Sequence, residues 1–275
     1  MKIVSWNIAR KSEPWRWLMH MDADLALLQE AAPPPADVAG LLEVDPGPIE
    51  ITGGYTQPQQ WRTAIVRLSD RIKVEWIESK PIAEAGTSEF AVSIPGTVAA
   101  ARVTPPEGDP IIVVSMYAQW RVPHDWTAGK WIAADGSAHR VISDLSEAFI
   151  GRERGYRIIA AGDLNILHGY GDYGNSYWAA RYRTVFDRME ALGLSFAGPQ
   201  HPNGRQAHPW PDELPRESKN VPTYHTTRQN PTTATRQLDF VFASRPLLKS
   251  MSVRALNEPE EWGPSDHSRV VIEVS

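Results

Sequence analysis

Short runs of β-branched and other apolar residues recur along the whole chain and dominate its pattern. Runs of this length, separated by Gly, Pro and polar clusters, are typical of strands buried in a sheet. The predicted strands are residues 3–8, 63–66, 74–77, 98–103, 111–116, 157–161, 238–243, 252–256 and 270–274.

Helical patterns are fewer. Ser137 is a candidate cap for a helix over residues 137–149, and a second helix over residues 178–192 would stop at Gly193. A short third helix is expected after residues 12–14. Many strands with few helices between them favour sheets packed on each other and flanked by helices, which is a mixed α+β class.

The composition sets limits on size and chemistry. With 275 residues, 42% of them hydrophobic, the chain can bury a large core, and no linker divides it, so we expect one domain over residues 1–275. A formal net charge of −5 gives no overall basic field for nucleic acid. The absence of cysteine excludes disulfides, a thiol nucleophile and thiolate zinc sites, so a bound metal would need oxygen or imidazole ligands.

Two further expectations concern location and loops. The N-terminus has no long apolar signal core and no stretch approaches a membrane span, so we expect a cytoplasmic protein without membrane association or an obligate protein partner. Residues 45–60 and 198–231 are rich in turn formers and are predicted to be long ordered loops. The first is interpreted as a surface insertion.

Polar side chains capable of chemistry stand where apolar runs stop. They are Asn7, Glu30, Tyr117, Asp163, Asn165, Asp239, Asp266 and His267. Each alone is also typical of a turn residue, a cap or an edge residue. Carboxylates and an amide gathered at neighbouring strand ends would form an oxygen-rich cluster, which suits Mg²⁺ or Mn²⁺ better than zinc.

The order of these segments resembles the endonuclease/exonuclease/phosphatase superfamily, which includes exonuclease-III-like and pancreatic-deoxyribonuclease-like enzymes. The matching pieces are Ser5-Trp6-Asn7-Ile8, Leu28-Gln29-Glu30, Ser115-Met116-Tyr117, Gly162-Asp163-Leu164-Asn165, Arg236-Gln237-Leu238-Asp239-Phe240-Val241 and Gly263-Pro264-Ser265-Asp266-His267. The resemblance implies a DNase-I-like, four-layered α/β/β/α sandwich of two mostly antiparallel sheets flanked by helices, with the site at one edge.

The resemblance, together with the chemistry of the side chains, also implies roles. Glu30 is the leading ligand for Mg²⁺, with Mn²⁺ as a substitute, and Asn7 and Asp266 are direct or water-mediated partners. Asp163 would orient and deprotonate the attacking water, and Asn165 would donate to a non-bridging phosphate oxygen.

Three further positions complete the candidate catalytic set. His267 would contact the scissile phosphate while Asp239 fixes its tautomer and raises its pKa, and Tyr117 would hydrogen-bond the phosphate or the departing oxygen. His139 is an additional candidate, because deoxyribonuclease-like members carry a second catalytic histidine between the tyrosine and the Gly-Asp-x-Asn segment. A histidine in the first turn of a helix is more often a capping or solvent residue, and exonuclease-III-like members lack this one.

The substrate is less constrained than the reaction. Basic residues that could bind flanking phosphates are Arg121, Lys130, Arg181, Arg183, Arg205, Arg216, Lys219, Arg228 and Arg236. Tryptophans in polar surroundings, which could stack on bases or simply anchor the core or a loop, are Trp61, Trp120, Trp126, Trp131, Trp178 and Trp210. We therefore predict a Mg²⁺-dependent phosphodiesterase acting on a phosphate ester, with a nuclease for DNA as the favoured instance. The alternatives are a phosphatase or phosphodiesterase for a small nucleotide, sugar or lipid phosphate, and an inactive binding scaffold.

Overall fold

A computed structural model describes residues 1–48, 50–51, 58–86, 89–120, 130–150 and 157–275. The strands in this part are β1 (Lys2–Asn7), β2 (Leu25–Ala31), β3 (Glu43–Val44), β4 (Arg62–Arg67), β5 (Lys73–Ile77), β6 (Ser79–Pro81), β7 (Phe90–Val92), β8 (Val98–Thr104), β9 (Ile111–Tyr117), β10 (Arg157–Asp163), β11 (Leu194–Gly198), β12 (Asp239–Ser244), β13 (Met251–Leu256) and β14 (Arg269–Val274). The helices are α1 (Glu13–Leu18), α2 (Lys130–Ile150) and α3 (Ser176–Ala191).

Two six-stranded sheets dominate the fold. The first sheet has the order β13-β14-β1-β2-β4-β3 and the second has the order β11-β12-β10-β9-β8-β5. In each sheet only the central pair is parallel, β1 with β2 and β9 with β10, and the flanking pairs are antiparallel. The two sheets are therefore mostly antiparallel, and each has its parallel pair at the centre.

Three apolar cores separate four layers. The core between the sheets packs Leu27 and Ile272 of the first sheet against Val113 and Ile159 of the second. The outer face of the second sheet is covered by α2 and α3, and the outer face of the first sheet is covered by α1, whose Trp15 is buried there. Strands buried on both faces explain why the sequence reads as continuous apolar runs rather than alternating ones. This is the α/β/β/α sandwich that the resemblance implied.

A buried polar contact between Gln29 and Ser115 crosses the core between the sheets. Gln29 of β2 and Ser115 of β9 are both fully buried. The Gln29 amide donates to Ser115 Oγ at 3.0 Å, and the Ser115 hydroxyl donates to the backbone carbonyl of Leu28 at 2.8 Å. These bonds fix β2 against β9 just before Glu30, the second-last residue of β2, and Tyr117, the last residue of β9.

All nine predicted strands are present, each within two residues of its expected ends. The nine predicted strands do not include β2 and β11, whose runs are poor in β-branched residues, or the short strands β3, β6 and β7. The loop over residues 198–231 is present as an irregular segment. None of the helices in the described ranges is long and apolar enough to cross a membrane.

One helix boundary was wrong. Helix α2 begins at Lys130, not at Ser137. The Ser137 hydroxyl is not available as a cap, because it accepts a hydrogen bond from the backbone N–H of Gln119 at 2.6 Å and ties the helix to the end of β9. Helix α3 does have a side-chain cap, since Asn175 Oδ1 accepts from the backbone N–H groups of Tyr177 and Trp178.

Candidate active site

The two parallel strand pairs bring chemically active residues to one edge of the sandwich. Parallel strands place their carboxyl ends side by side, so Asn7 at the end of β1 lies next to the end of β2. In the second sheet Asp163 is the register partner of both Tyr117 on β9 and Asp239 on β12. The candidates from both sheets therefore converge.

Glu30 is held at a break in the β2 ladder. The register between β2 and β4 shifts between Leu28 and Ala31, and Glu30 adopts a positive φ of 46°. A bulge of this kind turns the side chain out of the regular alternation. Glu30 Oε1 accepts from the Tyr117 hydroxyl at 3.1 Å, and Oε2 lies 3.1 Å from Arg10 Nε.

Asp163 is the centre of the hydrogen-bond network. It is 1% exposed, and its Oδ2 accepts from the side-chain amides of Asn7 at 2.9 Å and of Asn165 at 3.1 Å. Its Oδ1 accepts from the backbone N–H of Asn165 at 2.9 Å. The preceding residue must be glycine, because a Cβ at Gly162 would lie 1.9 Å from the backbone oxygen of Met116. The Gly-Asp-x-Asn motif thus follows from close packing as well as chemistry.

Asn165 is fixed in a left-handed conformation with φ of 51°. Asparagine tolerates this region better than most residues. Its side-chain amide donates to the carbonyl of Ala118 at 2.9 Å as well as to Asp163. The two residues on this turn are therefore oriented by each other and by the end of β9.

His267 lies between two carboxylates. Its Nδ1 is 2.8 Å from Asp239 Oδ2, and its Nε2 is 3.8 Å from Asp163 Oδ2. The backbone carbonyl of His267 accepts from Trp6 Nε1 at 3.0 Å, and the ring of Tyr224 lies 4.9 Å from the imidazole. Each ring nitrogen of His267 therefore faces a carboxylate, and the Tyr224 ring packs against the imidazole.

The Ser-Asp-His segment is anchored to β1. The Ser265 hydroxyl donates to the backbone carbonyl of Asn7 at 2.7 Å and accepts from the backbone N–H of His267 at 3.2 Å. Ser265 is buried, whereas Asp266 is partly exposed, and the backbone carbonyl of Asp266 accepts from the N–H of His225 at 3.0 Å. This explains the serine in the motif as a structural residue.

Burial and neighbouring charges shift the pKa values of Asp163 and His267. Burial raises the pKa of Asp163 to about 7, although the positive charge of His267 opposes the rise. Burial disfavours the charged form of His267, but the carboxylates of Asp239 and Asp163 outweigh it and raise its pKa to about 10. At neutral pH the pair therefore combines an imidazolium with a carboxyl group that exchanges its proton readily.

The donor set at Glu30 fits a hard, hydrated cation. Among the described residues, no group of three or more His, Cys, Asp or Glu side chains is arranged to hold a metal ion together. Mg²⁺ needs fewer protein ligands than such a group provides, because it retains several waters and binds through one or two carboxylates. Glu30 and Asp266 supply such carboxylates. The Asn7 amide donates to Asp163 and its oxygen accepts from the N–H of Ala9 at 2.9 Å, so these contacts favour orienting Asp163 over binding metal directly.

The structure does not bring His139 into this cluster. It lies within α2 rather than in its first turn, and its Nδ1 is 2.8 Å from an Arg188 nitrogen while its Nε2 is 3.1 Å from the Thr184 hydroxyl, both on α3. Burial lowers the pKa of His139. Its contacts join two helices on the outer face of the second sheet, which is a structural role.

Arg10, Trp61 and Tyr224 are site residues that the motifs did not indicate. Trp61 packs edge-on against Tyr117, with ring centroids 5.2 Å apart, and the Arg10 guanidinium lies 5.9 Å from the Trp61 ring. Burial and the negative charges of Asp266 and Asp163 raise the pKa of Tyr224. Trp61 was named only for base stacking, and no local pattern marks Tyr224 within its long loop.

The basic residues proposed for substrate contacts divide into two groups. Arg181 pairs with Asp135, Arg205 with Glu258 and Arg236 with Asp172, so their charges are partly neutralised. Arg183, Arg216, Lys219 and Arg228 are exposed. Arg121, Trp126 and the side chains of Lys130 and Trp131 lie outside the described residues.

A four-layered sandwich with an acid, amide and histidine cluster at one edge defines the DNase-I-like class of hydrolases. The model of the endonuclease/exonuclease/phosphatase family matches residues 4–267, so the chain belongs to this family and is a phosphoesterase of that superfamily. A comparison with curated protein sequences finds no match.

Solved structures agree on the fold. The chain is similar to the catalytic domain of APE2 from Xenopus laevis, with 16% identity and a TM-score of 0.65 over 100% of this chain and 91% of that one. It is similar to the AP endonuclease LMAP from Leishmania major, with 16% identity and a TM-score of 0.60 over 100% and 87% of the two chains. It is also similar to the 3′ phosphatase NExo from Neisseria bound to a product DNA hairpin, with 16% identity and a TM-score of 0.59 over 100% and 99%.

Proposed function

We propose that this protein is a Mg²⁺-dependent phosphodiesterase that hydrolyses DNA. The observation that carries the proposal is the position of Asp163, a buried carboxylate that accepts from two amides and faces His267, which in turn faces Asp239. A general base beside a fixed cation can deprotonate an attacking water and stabilise the charge that develops on the phosphate.

Asp163 is the general base. Hydrogen bonds from Asn7 and Asn165 orient its Oδ2, and a pKa of about 7 lets it accept a proton from water near neutral pH and release it again. The attacking oxygen forms a bond to phosphorus while the ester oxygen departs with the bonding electrons. The proton from water passes to Asp163.

His267, Asn165 and Tyr117 stabilise the charge that develops on the phosphate. The imidazolium of His267 remains protonated below pH 10 because Asp239 holds its other nitrogen. The Asn165 amide donates to Asp163 and to the Ala118 carbonyl, and the Tyr117 hydroxyl donates to Glu30, so both donors stand beside groups that are proposed to act on the phosphate. Fixed donors of this kind stabilise charge without reorganising during the reaction.

Glu30 and Asp266 would hold the Mg²⁺, with Mn²⁺ as a substitute, and Asn7 would complete the set through water. A cation held there would neutralise charge on the phosphate and on the departing oxygen. The bulge at Glu30 turns its carboxylate out of the sheet, which supports this assignment.

DNA is favoured as the substrate for two reasons. The similar solved structures include AP endonucleases and a 3′ phosphatase bound to a DNA hairpin. In addition, the loop over residues 198–231 passes beside the site, because the N–H of His225 bonds to Asp266, and this loop carries the exposed Arg216, Lys219 and Arg228. Exposed cations that flank a cleavage site can bind neighbouring phosphates.

A substrate panel with Mg²⁺ tests the proposal. Duplex DNA, abasic DNA, RNA, bis-p-nitrophenyl phosphate and p-nitrophenyl phosphate are compared with wild-type protein and with the Asp163→Asn variant. We expect cleavage of DNA that is lost in the variant and weakens steeply with added salt, through counterion release. Cleavage of p-nitrophenyl phosphate alone would favour the phosphomonoesterase alternative, and cleavage of nothing would favour the binding scaffold.

A further inference from the structure

Arg10 contacts one of the two carboxylate oxygens of Glu30, the leading candidate for a metal ligand. Its Nε lies 3.1 Å from Glu30 Oε2, while the other oxygen of Glu30 accepts from Tyr117. The Glu30 side chain is 17% exposed and that of Arg10 is 57% exposed. The pair therefore stands at the mouth of the site, with the carboxylate inside and the guanidinium outside.

The backbone holds Arg10 in this place. Ala9 and Arg10 both have positive φ angles, 50° and 62°, although neither is glycine. The N–H of Arg10 donates to the backbone carbonyl of Glu30 at 2.9 Å, so the turn after β1 is attached directly to the bulge in β2. Two consecutive residues in a sparsely populated conformation persist only where their surroundings fix them. The approach of Arg10 to Glu30 is thus built into the fold.

The charges of Arg10 and of a divalent cation oppose each other at Glu30. A guanidinium in contact with the carboxylate is a monovalent counter-ion, and a divalent ion at the same oxygen would be repelled by it at a few ångströms. One of the two must leave before the other binds closely. Arg10 can leave because its side chain is more than half exposed and the face of Trp61 lies 5.9 Å from its guanidinium carbon.

We propose that Arg10 is the internal counter-ion of Glu30, which competes with the divalent cation and sets its affinity. This inference rests on the proposed function, because it assigns a competitor to that same metal site. In the metal-free protein Arg10 neutralises Glu30; when the cation binds, the guanidinium moves to the solvent side, where its planar donors suit a phosphate oxygen of the substrate. Arg10 is a positioning residue in the first state and a substrate contact in the second.

Lys11 provides a matched control. It carries the same charge one residue further along the chain, and its Nζ donates to the backbone carbonyl of Pro264 at 2.8 Å. Replacing Lys11 by glutamine changes the net charge near the site by the same amount as replacing Arg10. A difference between the two variants therefore reports the direct contact with Glu30 rather than the general field.

The experiment is a Mn²⁺ titration without substrate, in which free Mn²⁺ is measured by electron paramagnetic resonance. The wild type, Arg10→Gln, Lys11→Gln and Glu30→Gln are compared, and circular dichroism verifies that each is folded. We expect Arg10→Gln to bind Mn²⁺ at least about tenfold more tightly than the wild type, and Lys11→Gln to differ by less than about threefold. The thermal midpoint of Arg10→Gln should also rise more on adding Mn²⁺.

The outcomes separate this inference from the proposed function. If Glu30→Gln abolishes Mn²⁺ binding but Arg10→Gln binds with the affinity of the wild type or more weakly, the role of Arg10 is refuted while the metal site stands. An equal gain in affinity for Arg10→Gln and Lys11→Gln also refutes the direct competition. If neither the wild type nor Arg10→Gln binds Mn²⁺, or if Glu30→Gln has no effect, both the metal site and the inference are refuted.

Discussion

The contact between His267 and Asp239 can be tested by removing one charge and little else. Asp239→Asn keeps the shape of the side chain and an oxygen that can accept from His267 Nδ1, which lies 2.8 Å away in the wild type. Both side chains are almost completely buried, with exposures of 6% and 3%. Solvent therefore screens the lost interaction only weakly.

The size of the effect follows from the pKa of His267. The rise from 6.5 to about 10 corresponds to about 5 kcal/mol in favour of the charged imidazole. Burial opposes this rise, and Asp239 is the largest of the groups that produce it. Loss of its charge should lower the pKa of His267 by at least about two units, or about 3 kcal/mol. The titration would then move from near pH 10 to pH 8 or below.

Two measurements check this shift. The pH profile of kcat/KM should lose activity above about pH 10 in the wild type and above about pH 8 in Asp239→Asn, because the proposed mechanism needs the imidazolium. The chemical shift of the His267 ring proton, assigned with a His267→Gln variant, reports the same pKa without turnover. Replacing the exposed Asp187 by asparagine is the control for a general change in charge.

The pH dependence of the free energy of unfolding gives an independent test. A histidine whose pKa is raised on folding stabilises the fold fully below pH 6.5, and that contribution is lost as the pH rises towards about 10. The stability deficit of Asp239→Asn attributable to His267 should therefore be constant below about pH 8 and shrink between about pH 8 and pH 10. An alkaline limb and a ring-proton titration that both stay at their wild-type positions would refute the electrostatic account of the pair.

Three other variants test separate parts of the structure. Asp163→Asn should lower turnover at least about 100-fold while the fold is retained, and turnover near the wild-type value would show that Asp163 is not the base. Wild-type activity should fall as the pH drops below about 7, because Asp163 then gains its proton. His139→Ala should leave kcat unchanged but lower the thermal midpoint by a few degrees, because it loses its contact with Arg188; a large fall in kcat would return it to the catalytic set. Gly162→Ala should prevent folding, as judged by circular dichroism, because its methyl group would overlap the Met116 carbonyl; a stable, active variant would contradict this packing.

The sequence predicted those features whose causes are local. Strands buried on both faces leave continuous apolar runs, and residues that end them, such as Glu30 and Asp163, are recognisable by their interruption of the run. The Gly-Asp-x-Asn and Ser-Asp-His segments are marked further, because each contains a residue fixed by packing or by a backbone bond, Gly162 and Ser265. Both the architecture and the convergence of the motif residues could therefore be expected before the structure.

Features that depend on distant contacts could not be predicted. Arg10 contacts Glu30 through a turn with unusual backbone angles, which a sequence of ordinary residues does not reveal. Tyr224 comes from an irregular loop and reaches His267 only because isolated bridges join that loop to the sheet edge. His139 lies inside α2, where it contacts Thr184 and Arg188 of α3 rather than the site cluster, and no local pattern indicates this contact between helices.

The hydrogen bond from Asn7 to Asp163 and the contact of His267 with Asp239 each join a residue of one sheet, or of the segment that leads into it, to a residue of the other. The reacting groups are therefore aligned only when the two sheets keep their native separation. Shortening an apolar side chain between the sheets, as in Val113→Ala, would change the distance between them. Asp163 and His267 would then shift relative to each other, although neither residue is altered. In such a variant, activity should be lost at a lower temperature than the secondary structure. Turnover would then report how closely the two sheets pack against each other.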